Sequence, residues 1–349
     1  MYTREILAPS AAPIENGIPL QGTWTQSFNE VDLLVVQRPF LVPIPRWMRN
    51  YRIKEWESFI VQDERVLLAA ALINLKYYCW VQVFLFDKES KELTRFRKLI
   101  PFGGWQLPRN LSNASVESRS YGFFFRIHSW LGANTIRVDL DIKAKGKRPS
   151  LTAHLDFNFS RESVTPMAVS LLFSERRSMY AYKSMAALRG DIAFGERQIS
   201  LHPKKTSGLF SDVKGFFPYR MHGTWCTGCG FYENNRRFGF SVGENQAKDS
   251  FANNENALWV NGTLTPLPPV RITMPHGVES DWVIQDLEGM VDLTFSPQEI
   301  VRNRANLIVS RAEYETPLGY YNGMLLDSKG EQIPVKNLWG LGERVYIRV

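Results

Sequence analysis

The chain is poor in cysteine. Three in 349 residues cannot build a disulfide framework, so a reducing, cytoplasmic setting is expected. Nowhere do 18 apolar residues run together, and no transmembrane helix is expected. The opening MYTREILAPSAAPIENGIPL lacks both the apolar core and the small-residue cleavage pattern of a secretory leader. The phosphate-cradling signatures G-x-G-x-x-G and G-x-x-x-x-G-K-[ST] are missing, which argues against a nucleotide, and no cofactor is expected. There is no G-x-S-x-G elbow to carry a serine nucleophile. Nor is charge concentrated: 42 basic against 35 acidic residues leave +7. The basic runs, at Lys143, Lys145, Lys147 and Arg148, at Lys204 and Lys205, and at Arg236 and Arg237, fall where turns are expected rather than on one aromatic-lined face. Nucleic acid is therefore not an expected partner.

Helical periodicity is also scarce. VTPMAVSLLFSERR and SPQEIVRNRANL come nearest to it, and both are short. What abounds is alternation. Ile136, Val138, Leu140 and Ile142 alternate with polar residues, and after the turn KAKGKRPS the pattern returns at Leu151, Ala153, Leu155, Phe157 and Phe159, a hairpin with one apolar face. YYCWVQVFLF, 77–86, reads as a strand buried on both faces. Asn261-Gly262, Asn234-Asn235 and Asp327 to Gly330 are turn signals between apolar runs. The fold class expected is all-β, with antiparallel strands closed into barrels because closure removes exposed edges. The length suits two units, divided at the Pro166 break into 1–165 and 166–349.

Trp225-Cys226-Thr227-Gly228-Cys229 spells a thiol oxidoreductase motif without its context. Such a site needs a helix N-terminus to lower the thiol pKa, whereas glycines and strand formers flank this one. As a metal site it is one ligand short, since His222, Cys226 and Cys229 supply three at most. No metal is expected, and packing is the reading for both cysteines.

Five runs, YAYKSMAALRG (180–190), KGFFPYRMHGTWCTGCG (214–230), NNENALWVNG (253–262), DWVIQDLEGMVDLTFSP (281–297) and IVSRAEYETPLGYYNG (308–323), occur in that order. With YRIKEWESFIVQDERVLLAAALINLKYYCWVQVFLFD (51–87) before them, they resemble the domain-of-unknown-function 2804 family over nearly the whole chain. The more specific pieces are Lys183, Pro218-Tyr219-Arg220, Trp225, Glu255-Asn256, Trp282 and Glu313. Lys214 and Phe217 stand where that family tends to show Arg and Trp, and the cysteines stand at small-residue positions. The resemblance implies a fold similar to the two-lipocalin-domain proteins that include carotenoid 1,2-hydratase and certain fungal Diels–Alder cyclases: two antiparallel lipocalin-like (calycin) barrels or half-barrels packed together. It carries over no catalytic residue, because fold does not confer function.

With 13% aromatic residues, 10 of them Trp, a barrel mouth would be lined with rings and hold a mainly apolar small molecule. Alternation from Tyr219 sends Arg220, His222, Thr224 and Cys226 to one face and Tyr219, Met221, Trp225 and Cys229 toward the other. Glu255, His222 and Tyr219 are the candidates for proton transfer. Arg220 and Lys183 can hold a polar end of the ligand, with Glu313 as their counter-charge. Trp225 and Trp282 supply an apolar wall. Each has a plain structural alternative: ion pairing for Arg220, Lys183 and Glu313, a satisfied ring for His222, loop support for Glu255, core packing for the tryptophans.

The activity expected first is that of a cofactor-independent lyase, hydratase, isomerase or cyclase acting on an isoprenoid or polyketide in a barrel cavity. The second is a lipid or isoprenoid carrier without chemistry. The third is a carbohydrate-active enzyme pairing Glu255 with Asp281 or Asp292.

Overall fold

Alternation becomes pairing where side chains share a dry face. Ile136, Val138, Leu140 and Ile142 sit opposite Phe157, Leu155, Ala153 and Leu151, and all eight are buried in one core. The strand Tyr78–Asp87 is buried along its whole length. Asn261 and Gly262 take φ of +47° and +86°, closing the hairpin between Ala257–Val260 and Thr263–Pro266. The Asp327 carboxylate accepts the N–H groups of Lys329 and Glu331, both at 2.8 Å, and so fixes the turn into the strand Gln332–Arg348.

The computed structural model describes residues 1–101, 105–160, 164–307 and 310–348. Ile308 and Val309, at the head of the last family-like run, lie outside them. The described chain is nearly all β, two curled antiparallel half-barrel sheets, with one short α-helix, Arg46–Arg52. The two segments nearest to a helical period are strands. Met167–Leu172 lies between Gly22–Trp24 and Ser178–Phe194, and 296–307 belongs to Val291–Leu307, paired along Ser310–Leu326. Cross-strand hydrogen bonding, on both sides of Met167–Leu172 and along one side of 296–307, outweighs a weak local preference. Pro297, which has no N–H to give, sits where that register slips.

The second sheet has nine strands and a nearly cyclic order: Arg220–Tyr232 is flanked by Arg236–Glu244 and by the C-terminal Gln332–Arg348, and meanders run outward from both. Its two edges, Thr263–Pro266 and Val270–Thr273, are consecutive in the chain. Only Leu267, Pro268 and Pro269 join them, a link spanning at most about 14 Å. The sheet must therefore curl round on itself, with prolines at the seam where no ladder closes. The first sheet repeats the plan, its path running from Glu92–Pro101 through Lys54–Gln62 and Ser178–Phe194 to Ala114–Ser120.

The exchange of sheets falls between Gly215 and Arg220. Met167–Leu172, Ser178–Phe194, Arg197–Leu201 and Ser207–Gly215 all hydrogen-bond within the first sheet. Pro166 interrupts the chain locally, but Leu151–Asn158 pairs across it with 187–194, a long-range choice that no local break reveals.

Three cores result. The curl of each sheet is filled by its own side chains, Phe59, Phe125 and Phe157 among those of the first and Phe240, Trp282 and Tyr321 among those of the second. A third apolar layer lies between the sheets, where Ile60, Ala69 and Met185 meet Cys229, Tyr314 and Ile347.

Candidate active site

A cavity lies in that third layer, bordered also by Phe59, Ala70 and Phe210 of the first core. Its volume is about 110 Å³, of the same order as the apolar cavities of about 150 Å³ that hold benzene. Trp56, Ile60 and Phe84 face it from the first sheet, Met221, Tyr314 and Val345 from the second. Into this wall project Lys183, Trp225, Glu255 and Glu343.

Each polar group is placed by strand parity. On Arg220–Tyr232 the odd positions Met221, Trp225 and Thr227 face the cavity, and Cys226 on the even face enters the core of the second barrel. The Trp225 indole lies against the backbone of Gly223 and Gly243, because a Cβ at either glycine would strike the ring. That placement lets Trp225 Nε1 donate to Glu255 Oε1 at 2.8 Å. Asn245 Nδ2 donates to the same oxygen at 2.9 Å, and Lys183 Nζ stands 2.9 Å from Oε2. Lys183 also donates to Ser241 Oγ at 2.9 Å and to the Glu255 carbonyl at 3.4 Å. The loop carrying Glu255 is itself pinned by the N-terminus: the Arg4 guanidinium donates to the carbonyls of Asn254 and Leu267, at 2.6 and 2.8 Å.

Glu255 is thus a held carboxylate. Burial by itself would raise its pKa, but the Lys183 charge and the hydrogen bonds from Trp225, Lys183 and Asn245 outweigh it, and the pKa lies below the ordinary value. Glu343 is the opposite case. It is the cross-strand neighbour of Trp225, and among the described residues its carboxyl has no hydrogen-bond or ion-pair partner. Burial drives its pKa up, Lys183 pulls it down, Glu255 adds repulsion, and the result is about 7. Two carboxyl groups in one hollow are pushed apart in pKa, one fixed as an anion and one poised near neutrality.

Of the residues singled out from sequence, the cavity brings together Glu255, Lys183 and Trp225. His222 and Glu313 meet elsewhere, in a polar cleft of about 600 Å³ with Arg271, Arg311 and Arg344, where Arg311 pairs with Glu313 at 2.6 Å. Arg220 is exposed on the same strand face as His222. Tyr219 is 52% exposed and lies under the Arg52 guanidinium. Trp282 is fully buried in the second core, with Nε1 donating to the Val278 carbonyl at 3.1 Å. Asp281 and Asp292 are exposed and lie outside the cavity. Cys226 and Cys229 are buried free thiols whose pKa burial pushes up to about 12, the state of packed and unreactive sulfur.

Glu343 escaped the sequence reading, although a signal for it exists. In the second half of the C-terminal strand the odd positions are Trp339, Leu341, Glu343, Val345 and Ile347: one carboxylate on an otherwise apolar face.

The fold and site define a protein of two curled antiparallel half-barrel sheets with an acid-bearing, mainly apolar cavity between them. The chain belongs to the family described as Domain of unknown function (DUF2804), whose model matches residues 5–349. Among solved structures it is similar to kievitone hydratase from Nectria haematococca, at 13% identity over 84% of this chain and 88% of that one, with a TM-score of 0.48. A comparison with curated proteins finds no match.

Proposed function

We propose that the chain is a cofactor-independent acid/base enzyme of the lyase, hydratase or isomerase kind, acting on a small, mainly apolar molecule held between the two sheets. The observation that carries this reading is Glu343, a carboxyl without a partner in an apolar cavity, with its pKa raised to about 7. At neutral pH such a group is present in both protonation states and can give and take a proton within one turnover. Protonated Glu343 donates to an unsaturated carbon or a carbonyl oxygen of the ligand. Its carboxylate then recovers a proton either from the carbon next to the new centre, which is isomerisation, or from a water that adds there, which is hydration. Glu255 and Lys183 play a different part here from the one the sequence suggested for Glu255. Saturated by each other and by Trp225, Asn245 and Ser241, they form a fixed ion pair that sets the field at Glu343 and offers a polar anchor. The aromatic rings of Trp56 and Tyr314 complete the wall and can stabilise a developing cation.

The test is conversion of an apolar metabolite extract in deuterated water by the wild type and by Glu343→Gln, followed by mass spectrometry. The wild type is expected to introduce deuterium into at least one compound, and the variant to do so on the order of 10²- to 10⁴-fold more slowly. Equal rates for the two proteins refute the assignment. A co-purifying lipid that the wild type leaves unchanged favours the carrier instead.

A further inference from the structure

Residues 33–54, LLVVQRPFLVPIPRWMRNYRIK, contain four arginines, one lysine and no acidic residue. Within them Leu41, Val42, Trp47, Met48 and Tyr51 are 60%, 55%, 66%, 41% and 44% exposed. Large apolar side chains on a surface are ordinarily scattered singly. Here they cluster around Arg46–Arg52 and the turn that leads into it. Trp47 and Tyr51, one helical turn apart, hold their rings edge to face at 6.5 Å. The cations gather on the same projection: Arg38 and Arg46 are exposed, and Arg52 and Arg177 both lie over the Phe40 ring, at 5.4 and 5.1 Å. Asp32 is one acid paired with this surface, 3.5 Å from Arg46, and it is shared with Arg109 at 3.0 Å.

We propose that this projection docks on an anionic phospholipid bilayer. An exposed Trp, Met and Leu set among arginines, in a stretch of sequence without an acidic residue, matches the layered chemistry of a membrane surface, where apolar groups enter the acyl boundary and guanidiniums meet phosphates. Charge complementarity selects the anionic lipid: a protein partner would have to present carboxylates around apolar pockets, whereas a bilayer presents anions over hydrocarbon without any fitted shape. No helix of the described residues is long and apolar enough to cross a membrane, and docking of this kind requires none. The helix runs directly into Lys54–Gln62, whose Trp56 lines the cavity, and Arg52 lies over Tyr219 at 5.8 Å, just before the strand that carries Met221 and Trp225. Docking therefore sets the bilayer beside one end of the inter-sheet cavity. The proposal stands apart from the acid/base reading and survives its failure.

Sedimentation of the full chain with vesicles of phosphatidylcholine and phosphatidylglycerol in a three-to-one ratio, and with phosphatidylcholine alone, tests it. The wild type is expected to pellet with the anionic vesicles and to be released by high salt. Trp47→Ala should weaken partitioning roughly tenfold, and the pair Arg38→Gln and Arg46→Gln about thirtyfold, from about fivefold per arginine. All three side chains are exposed, so unchanged thermal melts separate loss of docking from loss of fold. Wild type that stays in the supernatant with anionic vesicles overturns the proposal, and so does binding that neither set of substitutions weakens.

Discussion

Replacing Glu343 by glutamine tests the electrostatics of the cavity without any knowledge of the substrate. A carboxyl whose pKa rises from the ordinary 4.5 to about 7 on folding prefers to be neutral in the native state, and at 1.36 kcal/mol per pKa unit the preference is about 3 kcal/mol. The sign follows from linkage: below about pH 4.5 the group is protonated in both states and adds no penalty. As pH rises from 4.5 through 7 the unfolded chain ionises first, and the native state loses stability relative to it. Above 7 the full loss remains. Glutamine is close in shape to the protonated acid and cannot ionise, so Glu343→Gln should match the wild type near pH 4 and exceed it by about 3 kcal/mol near pH 8. Urea denaturation of both proteins across that range measures the difference. Other buried acids, Glu57 and Asp212 among them, also have raised pKa values, chiefly through burial, but they are common to both proteins and cancel. A difference that stays flat from pH 4 to 8 would mean that Glu343 titrates normally, and the acid/base proposal would lose its foundation.

Lys183→Met should lower stability by about 3–5 kcal/mol by stranding the Glu255 carboxylate in a dry site, with a loss well below that in denaturant titration arguing against the buried pair. Trp225→Phe removes one donor to that carboxylate and should cost about 1–3 kcal/mol. His222→Ala and Arg220→Ala, on the exposed face of their strand, should leave any turnover of the cavity within about twofold, as surface changes do; a large loss would move the active site to the polar cleft. Cys226 and Cys229, with pKa pushed up to about 12, should resist iodoacetamide in the native protein and react once urea unfolds it.

Much of the fold was legible because antiparallel strands write their burial into a period of two. The hairpin of Ile136 and Phe157 and the turn at Asn261-Gly262 needed only nearest neighbours in the chain. The strand at Met167–Leu172 was harder: its neighbours are Gly22–Trp24 and Ser178–Phe194, and an isolated window of apolar residues does not say which ladder it will join. The candidate site was legible by residue type and not by direction. Glu255, Lys183 and Trp225 were singled out as family-like pieces and as a proton-transfer group, a polar anchor and an apolar wall, and the structure places all three on one cavity. Tyr219, Arg220 and His222 were chosen on the same chemical grounds, yet the structure puts Arg220 and His222 on the strand face turned away from the cavity and leaves Tyr219 half-exposed ahead of it.

From the amino-acid order alone came the all-β class and the main hairpins, since each depends on periodicity or on residues within a few positions of one another. Tertiary structure alone decided that a cavity lies between the two sheets, because that depends on which outer faces of two curled sheets meet. It also decided that Glu343, far along the chain from Lys183 and Glu255, is buried beside them, and it is chiefly this burial, with the Lys183 charge opposing it and Glu255 adding to it, that brings an ordinary glutamate to a pKa near neutrality.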